Sequence, residues 1–255
     1  AVIAAYVRIP YNHLPQKTRG DTLYPLYENH ARHSHAGRSG SRARGPPEHS
    51  EAVVDEIIVV DGGSTDGTIE WCRAHDYRVL VQQRPGYGEG MRECIALAQG
   101  DVIIEFMGDG NCDPAAIPRL IEKMKEGHDL VIASRNMEGA ASLDETRITR
   151  LGNWGFTALI NVLFRASFTD AMNGYRAYRK DRFLALNADE DGLTFPTQTS
   201  IQFAKARFKI TDIPCIEPKR IGGVRKAKNF RTGLQLLRMI VKELFRPLPA
   251  KVKNL

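Results

Sequence analysis

Two apolar segments that each end in an acidic, glycine-rich turn constrain the fold of this 255-residue chain more than any other feature. The first runs from Val53 to Val60 and is followed by Asp61-Gly62-Gly63-Ser64-Thr65-Asp66-Gly67-Thr68. The second runs from Asp101 to Met107 and is followed by Gly108-Asp109-Gly110-Asn111. Near-continuous apolar runs are typical of strands that a parallel sheet buries on both faces. The sequence therefore predicts an α/β fold whose strands deliver acidic turns to one edge.

Further apolar patterns alternate along the chain between strand and helix. The strands are predicted at 1–12, 53–60, 78–82, 101–107, 129–133 and 209–213, and the helices at 69–75, 91–98, 118–126, 147–164, 197–207 and 231–245. Residues 86–90 are predicted to form a glycine-rich turn. Alternation of this kind indicates a mostly parallel sheet with right-handed crossovers, flanked by helices. Ligands of such sheets bind at the carboxyl ends of the strands, so Asp61, Asp109 and Ser134-Arg135 are expected to share one crevice.

Residues 13–50 differ from the rest of the chain. They contain five of its seven histidines, many arginines and Pro46-Pro47, without sustained periodicity. The segment is predicted to be a loop or a disordered, basic insert. A metal site at His30, His33 and His35 is the alternative, but no cysteine or carboxylate cluster completes it.

Composition excludes two classes of protein. With 42% apolar and 26% charged residues, and no apolar run near the roughly 18 residues that a membrane-spanning helix needs, a multi-span membrane protein is excluded. Four widely separated cysteines exclude a disulfide-stapled miniprotein and suit a reducing compartment. The net charge of +6 comes largely from residues 13–50 and 219–253. It suits an anionic partner or, alternatively, is an ordinary solvated surface.

The two acidic turns have the chemistry of a nucleotide site. Asp61 can accept from a ribose hydroxyl or a base, although a capped strand–turn–helix junction is the alternative. Asp109 and Asn111 offer a carboxylate and an amide oxygen two residues apart, which suits Mg²⁺ or Mn²⁺ completed by a diphosphate. A plain Asp-Gly-Asn turn is the alternative. Six basic residues later in the chain are candidates for phosphate binding, unless they are solvated surface: Arg135, Arg147, Arg150, Arg220, Lys226 and Lys228.

Taken in order, these motifs resemble the family-2 glycosyltransferases of the GT-A fold, and most of all the dolichyl- or polyprenyl-phosphate mannosyl- and glucosyltransferases. The matching stretches are 59–68, 100–101, 109–111, 113–114, 134–135, 150–153, Asp170, 173–177, 213–214, 220–223 and Lys226. They span about residues 53–245. The resemblance implies one GT-A domain over 1–245, interrupted by the insert, with a basic tail at 246–255.

The resemblance also implies roles for individual residues. Asp109 and Arg135 are expected to be catalytic, and Asp109 and Asn111 to hold the metal. The donor nucleotide-sugar is expected to contact Pro10, Asn12, Val59, Asp61, Gly63, Met107, Gly108, Asp109, Arg220 and Lys226. The acceptor phosphate is expected to contact Ser134, Arg135, Arg147 and Arg150.

Three positions depart from the family pattern. Met107 stands where the metal turn usually has its first Asp. Ile9-Pro10-Tyr11-Asn12-His13 lacks the Glu that normally follows the Asn. Pro196 stands where relatives often have an acidic residue.

The resemblance implies metal-dependent, inverting transfer of a hexose from GDP-mannose or UDP-glucose to a polyprenyl or dolichyl phosphate. The alternatives are transfer to a polysaccharide hydroxyl, which needs a general base not evident here, and an inactive domain that binds nucleotide-sugar or a partner. A lipid acceptor implies a peripheral enzyme at the cytoplasmic face of a membrane, held by its surface or by a membrane-protein partner. Helix 231–245 is expected to pack on the core through Leu234, Leu237, Ile240, Val241 and Leu244, with membrane contact as the alternative. No motif for nucleic-acid binding is present.

Overall fold

A computed structural model describes residues 2–7, 54–221 and 229–254. The strands are β1 (Val2–Val7), β2 (Ile57–Asp61), β3 (Arg78–Val81), β4 (Val102–Glu105), β5 (Leu130–Ser134), β6 (Ala141–Ser142), β7 (Arg176–Arg179), β8 (Ile210–Pro214) and β9 (Ile216–Glu217). The α-helices are α1 (Thr68–Ala74), α2 (Tyr87–Leu97), α3 (Ile117–Lys125), α4 (Arg147–Phe164), α5 (Lys180–Ala185), α6 (Phe195–Lys205) and α7 (Asn229–Phe245). Short 3₁₀ helices cover Pro114–Ala116 and Ala250–Asn254.

The strands form a layer with helices on both sides. One sheet has the order β1-β2-β3, a second has the order β4-β7-β5-β8, and β1 also contacts β4. Strands β2 and β3 are parallel, as are β5 and β8, whereas β7 runs antiparallel to both of its neighbours and β1 antiparallel to β2. Along β4, Ile103 faces one hydrophobic cluster while Val102 and Ile104 face the other. The predicted α/β architecture is confirmed.

The start of α2 corrects one prediction. Residues 86–90 were expected to form a turn, but the helix begins at Tyr87. The glycines there serve close approach to another segment: the amide of Gly88 donates to the carbonyl of Asp191 at 2.8 Å, and a Cβ at Gly88 would collide with the carbonyl of Glu190. Segment 188–193 therefore docks directly on the first turn of α2.

Strand β7 escaped the sequence analysis because two of its four residues are arginines. Arg176 is nevertheless completely buried and donates to the carbonyl of Pro196 at 2.7 Å and to Ser200 Oγ at 2.9 Å. It pairs across the ladder with Glu105, which accepts from the Tyr87 hydroxyl at 2.7 Å. Burial raises the pKa of the Glu105 carboxyl, and the Arg176 charge offsets part of that rise. Arg176 is tolerated in the middle of the sheet because its guanidinium is hydrogen-bonded to the loop before β7 and to the first turns of α6.

Helix α7 reverses the predicted packing face. Its buried apolar side chains are Leu236, Met239 and Ile240. Of the five residues expected in the core only Ile240 lies there; the others are among the exposed apolar side chains Phe230, Leu234, Leu237, Val241, Leu244 and Phe245. The core face also holds Glu243, which is fully buried and accepts from Gln198 and Gln202 of α6 at 2.9 Å each. Because a charged residue marks the buried side, hydrophobicity alone selected the wrong one.

Several predictions fall outside the described residues: the insert 13–50, Pro10, Asn12, Lys226 and Lys228. Within the described ranges, no helix combines the length and the apolar character needed to cross a membrane. All four cysteines are buried free thiols.

Candidate active site

The turn after β2 is held together by Asp61. Its Oδ1 atom accepts from the amides of Gly63 and Ser64 at 2.8 and 2.6 Å, and its Oδ2 atom accepts from Ser64 Oγ at 2.8 Å. The Asp61 side chain is completely buried. Gly63 has a φ of 90°, a backbone conformation that glycine adopts without strain. In this arrangement Asp61 shapes the turn, and the exposed backbone of Gly63 is the part that faces solvent.

The turn after β4 carries Asp109. The Asp109 side chain is 28% exposed, and its Oδ1 atom accepts from the amide of Asn111 at 3.3 Å. Burial raises the pKa of the Asp109 carboxyl above its ordinary value, and the charge of Asp144 adds to the rise. The side-chain amide of Asn111 donates to Glu217 Oε1 at 3.4 Å. Oxygen ligands of this kind suit a hard divalent cation, which a carboxylate in its charged form would bind.

Met107 does not take part in this cluster of oxygen atoms. It packs against both hydrophobic clusters, and its Cε atom lies 2.7 Å from where a Cβ on Gly174 would be. The described residues hold no group of three His, Cys, Asp or Glu side chains placed to bind a metal ion. A cation at Asp109 and Asn111 would therefore take the rest of its ligands from a bound diphosphate and water. The donor set fits a metal that binds together with the nucleotide.

Residues 220–221 contact the turn after β4 in three ways. This turn carries the candidate metal ligands Asp109 and Asn111 and is called the metal turn. The amide of Ile221 donates to the carbonyl of Asp109 at 2.8 Å. Gly110, at a φ of 85°, leaves room for Ile221, because a Cβ there would lie 2.8 Å from Ile221 Cδ1. Arg220 Nη1 lies 3.4 Å from Asp109 Oδ2. Residues 220 and 221 therefore lie directly against the turn that carries Asp109.

Asp144 holds the other side of the same guanidinium. Its Oδ2 atom accepts from Arg220 Nε at 3.1 Å and from Nη2 at 2.8 Å. These hydrogen bonds raise the pKa of Arg220, helped by the charges of Asp109 and Asp144. Arg220 keeps a quarter of its side chain exposed. It is thus a cation held between two carboxylates and partly exposed to solvent.

Arg135 lies beside this pair and is enclosed by three carboxylates. Its Nε and Nη2 atoms donate to Asp170 at 2.7 and 3.0 Å, while Nη1 lies 3.2 Å from Glu145 and 3.6 Å from Glu217. Burial opposes the charge on Arg135, but Asp170, Glu217 and Glu145 outweigh it and raise the pKa. Only 10% of the side chain is exposed. Its donors are directed at protein carboxylates in this arrangement.

The remaining predicted residues divide into exposed and buried ones. Arg147 and Arg150 begin α4, and Arg150 is 56% exposed, with Nε 4.0 Å from Glu145. Ser134 is buried and accepts from Thr169 Oγ1 at 2.6 Å. Val59 is buried inside the sheet. The structure therefore brings Asp109, Arg220, Arg135 and Arg150 into one chain of contacts, and it leaves Ser134 and Val59 behind the surface.

Four carboxylates that organise the arginines had no assigned role in the sequence analysis: Asp144, Glu145, Asp170 and Glu217. Asp170 and Glu217 each lie in or beside a stretch that carries the family resemblance. Adjacent acidic residues at 144–145, just before a helix with two arginines in its first turn, were the signal available for the other two.

Residues 50–185 match the model of glycosyl transferase family 2. The chain is 30% identical over 183 residues to glycosyltransferase AglJ of Haloferax volcanii, covering 66% of this chain and 59% of that protein. It is 30% identical over 190 residues to the undecaprenyl-phosphate mannosyltransferase of Micrococcus luteus, covering 66% and 77%. It is 28% identical over 188 residues to the dolichyl-phosphate hexose transferase of Haloferax volcanii, covering 73% and 80%. The chain belongs to glycosyl transferase family 2, and the predicted enzyme class is confirmed.

Solved structures confirm the GT-A fold. The glucosyl-3-phosphoglycerate synthase of Mycobacterium tuberculosis, in complex with Mn²⁺, UDP-glucose and phosphoglyceric acid, superimposes with a TM-score of 0.58. The match has 21% sequence identity and covers 76% of this chain and 70% of that one. Its metal and its UDP-glucose belong to that enzyme, and the likeness establishes the architecture.

Proposed function

We propose that this chain transfers a hexose from GDP-mannose or UDP-glucose to a polyprenyl or dolichyl phosphate, with inversion at the anomeric carbon. The observation that carries the proposal is the pairing of Asp109 with Arg220. It sets a carboxylate for a cation beside a guanidinium for a diphosphate. The undecaprenyl-phosphate mannosyltransferase and the dolichyl-phosphate hexose transferase among the relatives support this acceptor class.

On the donor side, Asp109 and Asn111 would hold Mg²⁺ or Mn²⁺, and Arg220 would bind the diphosphate. When bound, the cation acts as a Lewis acid that offsets charge on the leaving diphosphate. Arg220 adds a fixed positive charge at the same place, already oriented by Asp144. Oriented charges of this kind stabilise a transition state without reorganising during the reaction.

On the acceptor side, Arg147 and Arg150 are exposed cations in the first turn of α4, and Arg150 Nε lies 4.0 Å from Glu145. A phosphate monoester has a second pKa of about 6, so it is largely a dianion at neutral pH and needs no strong general base. Its oxygen forms a bond to the anomeric carbon as the bond from that carbon to the nucleoside diphosphate breaks. Arg135 donates to Asp170 and lies close to Glu145 and Glu217, so in this arrangement it would hold these carboxylates in place rather than bind the acceptor phosphate itself.

The acceptor lipid requires contact with a membrane surface, and helices α4 and α7 supply an apolar face for it. The two helices pack against each other. Their exposed apolar side chains include Ile148, Leu151 and Trp154 on α4 and Phe230, Leu234, Leu237 and Val241 on α7. Arg147, Arg150, Arg231, Arg238 and Lys242 flank these residues. An apolar stripe bordered by basic residues fits an anionic lipid surface, which we place at the cytoplasmic face.

The direct test is transfer of radiolabelled sugar to undecaprenyl phosphate in detergent, from each donor with Mn²⁺. The proposal predicts a lipid-linked sugar from one donor, and loss of the product with EDTA. A second candidate is a domain that binds nucleotide-sugar without transferring it, which the apolar Met107 at the metal turn favours. Nucleotide binding without a lipid-linked product from either donor would support that candidate and contradict the proposal.

A further inference from the structure

Two consecutive carboxylates connect the donor side of the site to the acceptor side. Asp144 accepts two hydrogen bonds from Arg220, which contacts Asp109. Glu145 lies 3.2 Å from Arg135 Nη1 and 4.0 Å from Arg150 Nε. The two-residue segment 144–145 therefore contacts arginine side chains on both sides of the site.

The three nitrogen atoms of the Arg220 guanidinium divide between two carboxylates. Nε and Nη2 both donate to one oxygen of Asp144, while Nη1 lies 3.4 Å from Asp109 Oδ2. A cation bound to Asp109 would engage that carboxylate, and Arg220 Nη1 would then be available to a diphosphate oxygen. Asp144 can hold Nε and Nη2 throughout, so the guanidinium keeps its position when Nη1 changes partner.

We propose that Asp144 is a positioning residue for the donor site, which fixes Arg220 over the metal turn for the diphosphate of the nucleotide-sugar. The inference rests on the proposed function, because it assigns the ligand of Arg220. Asp144 is only 17% exposed and its partner 25%. A pair this shielded orients a side chain more firmly than a solvated surface pair does. Without the carboxylate, Arg220 is free to adopt other rotamers and loses its alignment with the ligand.

The test is a double-mutant cycle with Asp144→Asn, Arg220→Gln and the double variant. The affinity of each protein for UDP and for GDP is measured by calorimetric titration in the presence of Mn²⁺. Asp144→Asn keeps the shape of the side chain and is expected to weaken binding of the preferred diphosphate about tenfold. In the Arg220→Gln background the same change is expected to have no effect, because the residue it positions is absent. A purely structural role would weaken binding equally in both backgrounds.

The matched control is Asp181→Asn, which removes a carboxylate paired with Arg179 at 3.0 Å on α5. It is expected to leave nucleotide affinity unchanged. If Asp144→Asn does not fold, Asp144→Glu takes its place, with binding weakened through the longer side chain and again only when Arg220 is present. The positioning role is overturned if the Asp144 variants bind the diphosphate with wild-type affinity, or if they lose the same affinity whether or not Arg220 is present. In either case the proposed function stands as long as the wild-type protein binds the nucleotide. Failure of the wild type to bind either diphosphate overturns both.

Discussion

Arg220 Nη1 lies 3.4 Å from Asp109 Oδ2, so a residue from the late part of the domain balances the charge of the turn after β4. The same turn receives a backbone hydrogen bond from Ile221. In the proposed donor site a divalent cation and Arg220 would both contact the Asp109 carboxylate, and a diphosphate would accommodate both positive groups.

Replacing Asp109 by Asn is expected to abolish metal-dependent nucleotide binding, because the neutral amide leaves the cation without a charged protein ligand. Calorimetric titration of the nucleoside diphosphate with and without Mn²⁺ measures this. Asp113→Asn is the matched control, since Asp113 caps the amide of Ala115 and Asn caps almost equally well. Unchanged Mn²⁺-dependent affinity in Asp109→Asn would remove Asp109 from the metal site.

Gly110 and Gly67 share a φ of 85°, but they differ in their surroundings. A methyl group added at Gly110 would meet Ile221 at 2.8 Å, whereas one added at Gly67 would have no neighbour within 4 Å. Alanine at either position is expected to lower the free energy of unfolding by about 1–2 kcal/mol through backbone strain. Gly110→Ala should cost more, since the methyl group also displaces Ile221 from the turn. Urea unfolding of both variants measures the difference, and equal losses would show that the contact with Ile221 carries no energy.

Asp189 links segment 188–193 to the C-terminal end of α7. It accepts hydrogen bonds from Lys242 Nζ at 3.2 Å and from Nη1 of Arg246, the residue that follows the helix, at 2.8 Å. The hydrogen bonds from Arg246 hold the pKa of Asp189 well below its ordinary value. The stabilisation is therefore present above the unfolded-state pKa near 3.9 and is lost as the pH falls toward the folded-state pKa.

Asp189→Asn is expected to be less stable than the wild type at pH 7, by at most about 1 kcal/mol for a group this exposed. Urea unfolding at pH 7 and at about pH 3 should show the difference narrowing in acid. A gap between the two proteins that stays constant across this range would contradict the ion-pair account.

Trp154 is 64% exposed on α4, beside Ile148 and Leu151 in the apolar face assigned to the membrane. Trp154→Ser is expected to weaken binding to vesicles that contain anionic phospholipid about tenfold, since an aromatic side chain no longer enters the interface. Trp71→Ser is the control, because Trp71 stacks on His75 in α1, at 4.0 Å between ring centroids. Co-sedimentation with the vesicles measures both, and equal binding by wild type and Trp154→Ser would reject this face.

The strand ends that carry Asp61 and Asp109 were predictable, because strands buried on both faces have apolar runs that glycine and aspartate terminate sharply. The surroundings of Arg135 were not, since Glu145, Asp170 and Glu217 come from three separate segments that only the fold brings together. Hydrophobic patterns also failed to predict the structure at two positions where a charged side chain is buried. Arg176 hid β7, and Glu243 marked the core face of α7 as polar.

The proposed transfer depends on a site at Asp109 and Arg220 that binds the nucleotide-sugar donor. Calorimetric titration of GDP-mannose, UDP-glucose and their free diphosphates, each with and without Mn²⁺, tests it most directly. The wild-type protein is expected to bind one donor and its diphosphate, and to do so only in the presence of the metal. No binding of any of the four nucleotides, with or without the metal, would contradict it.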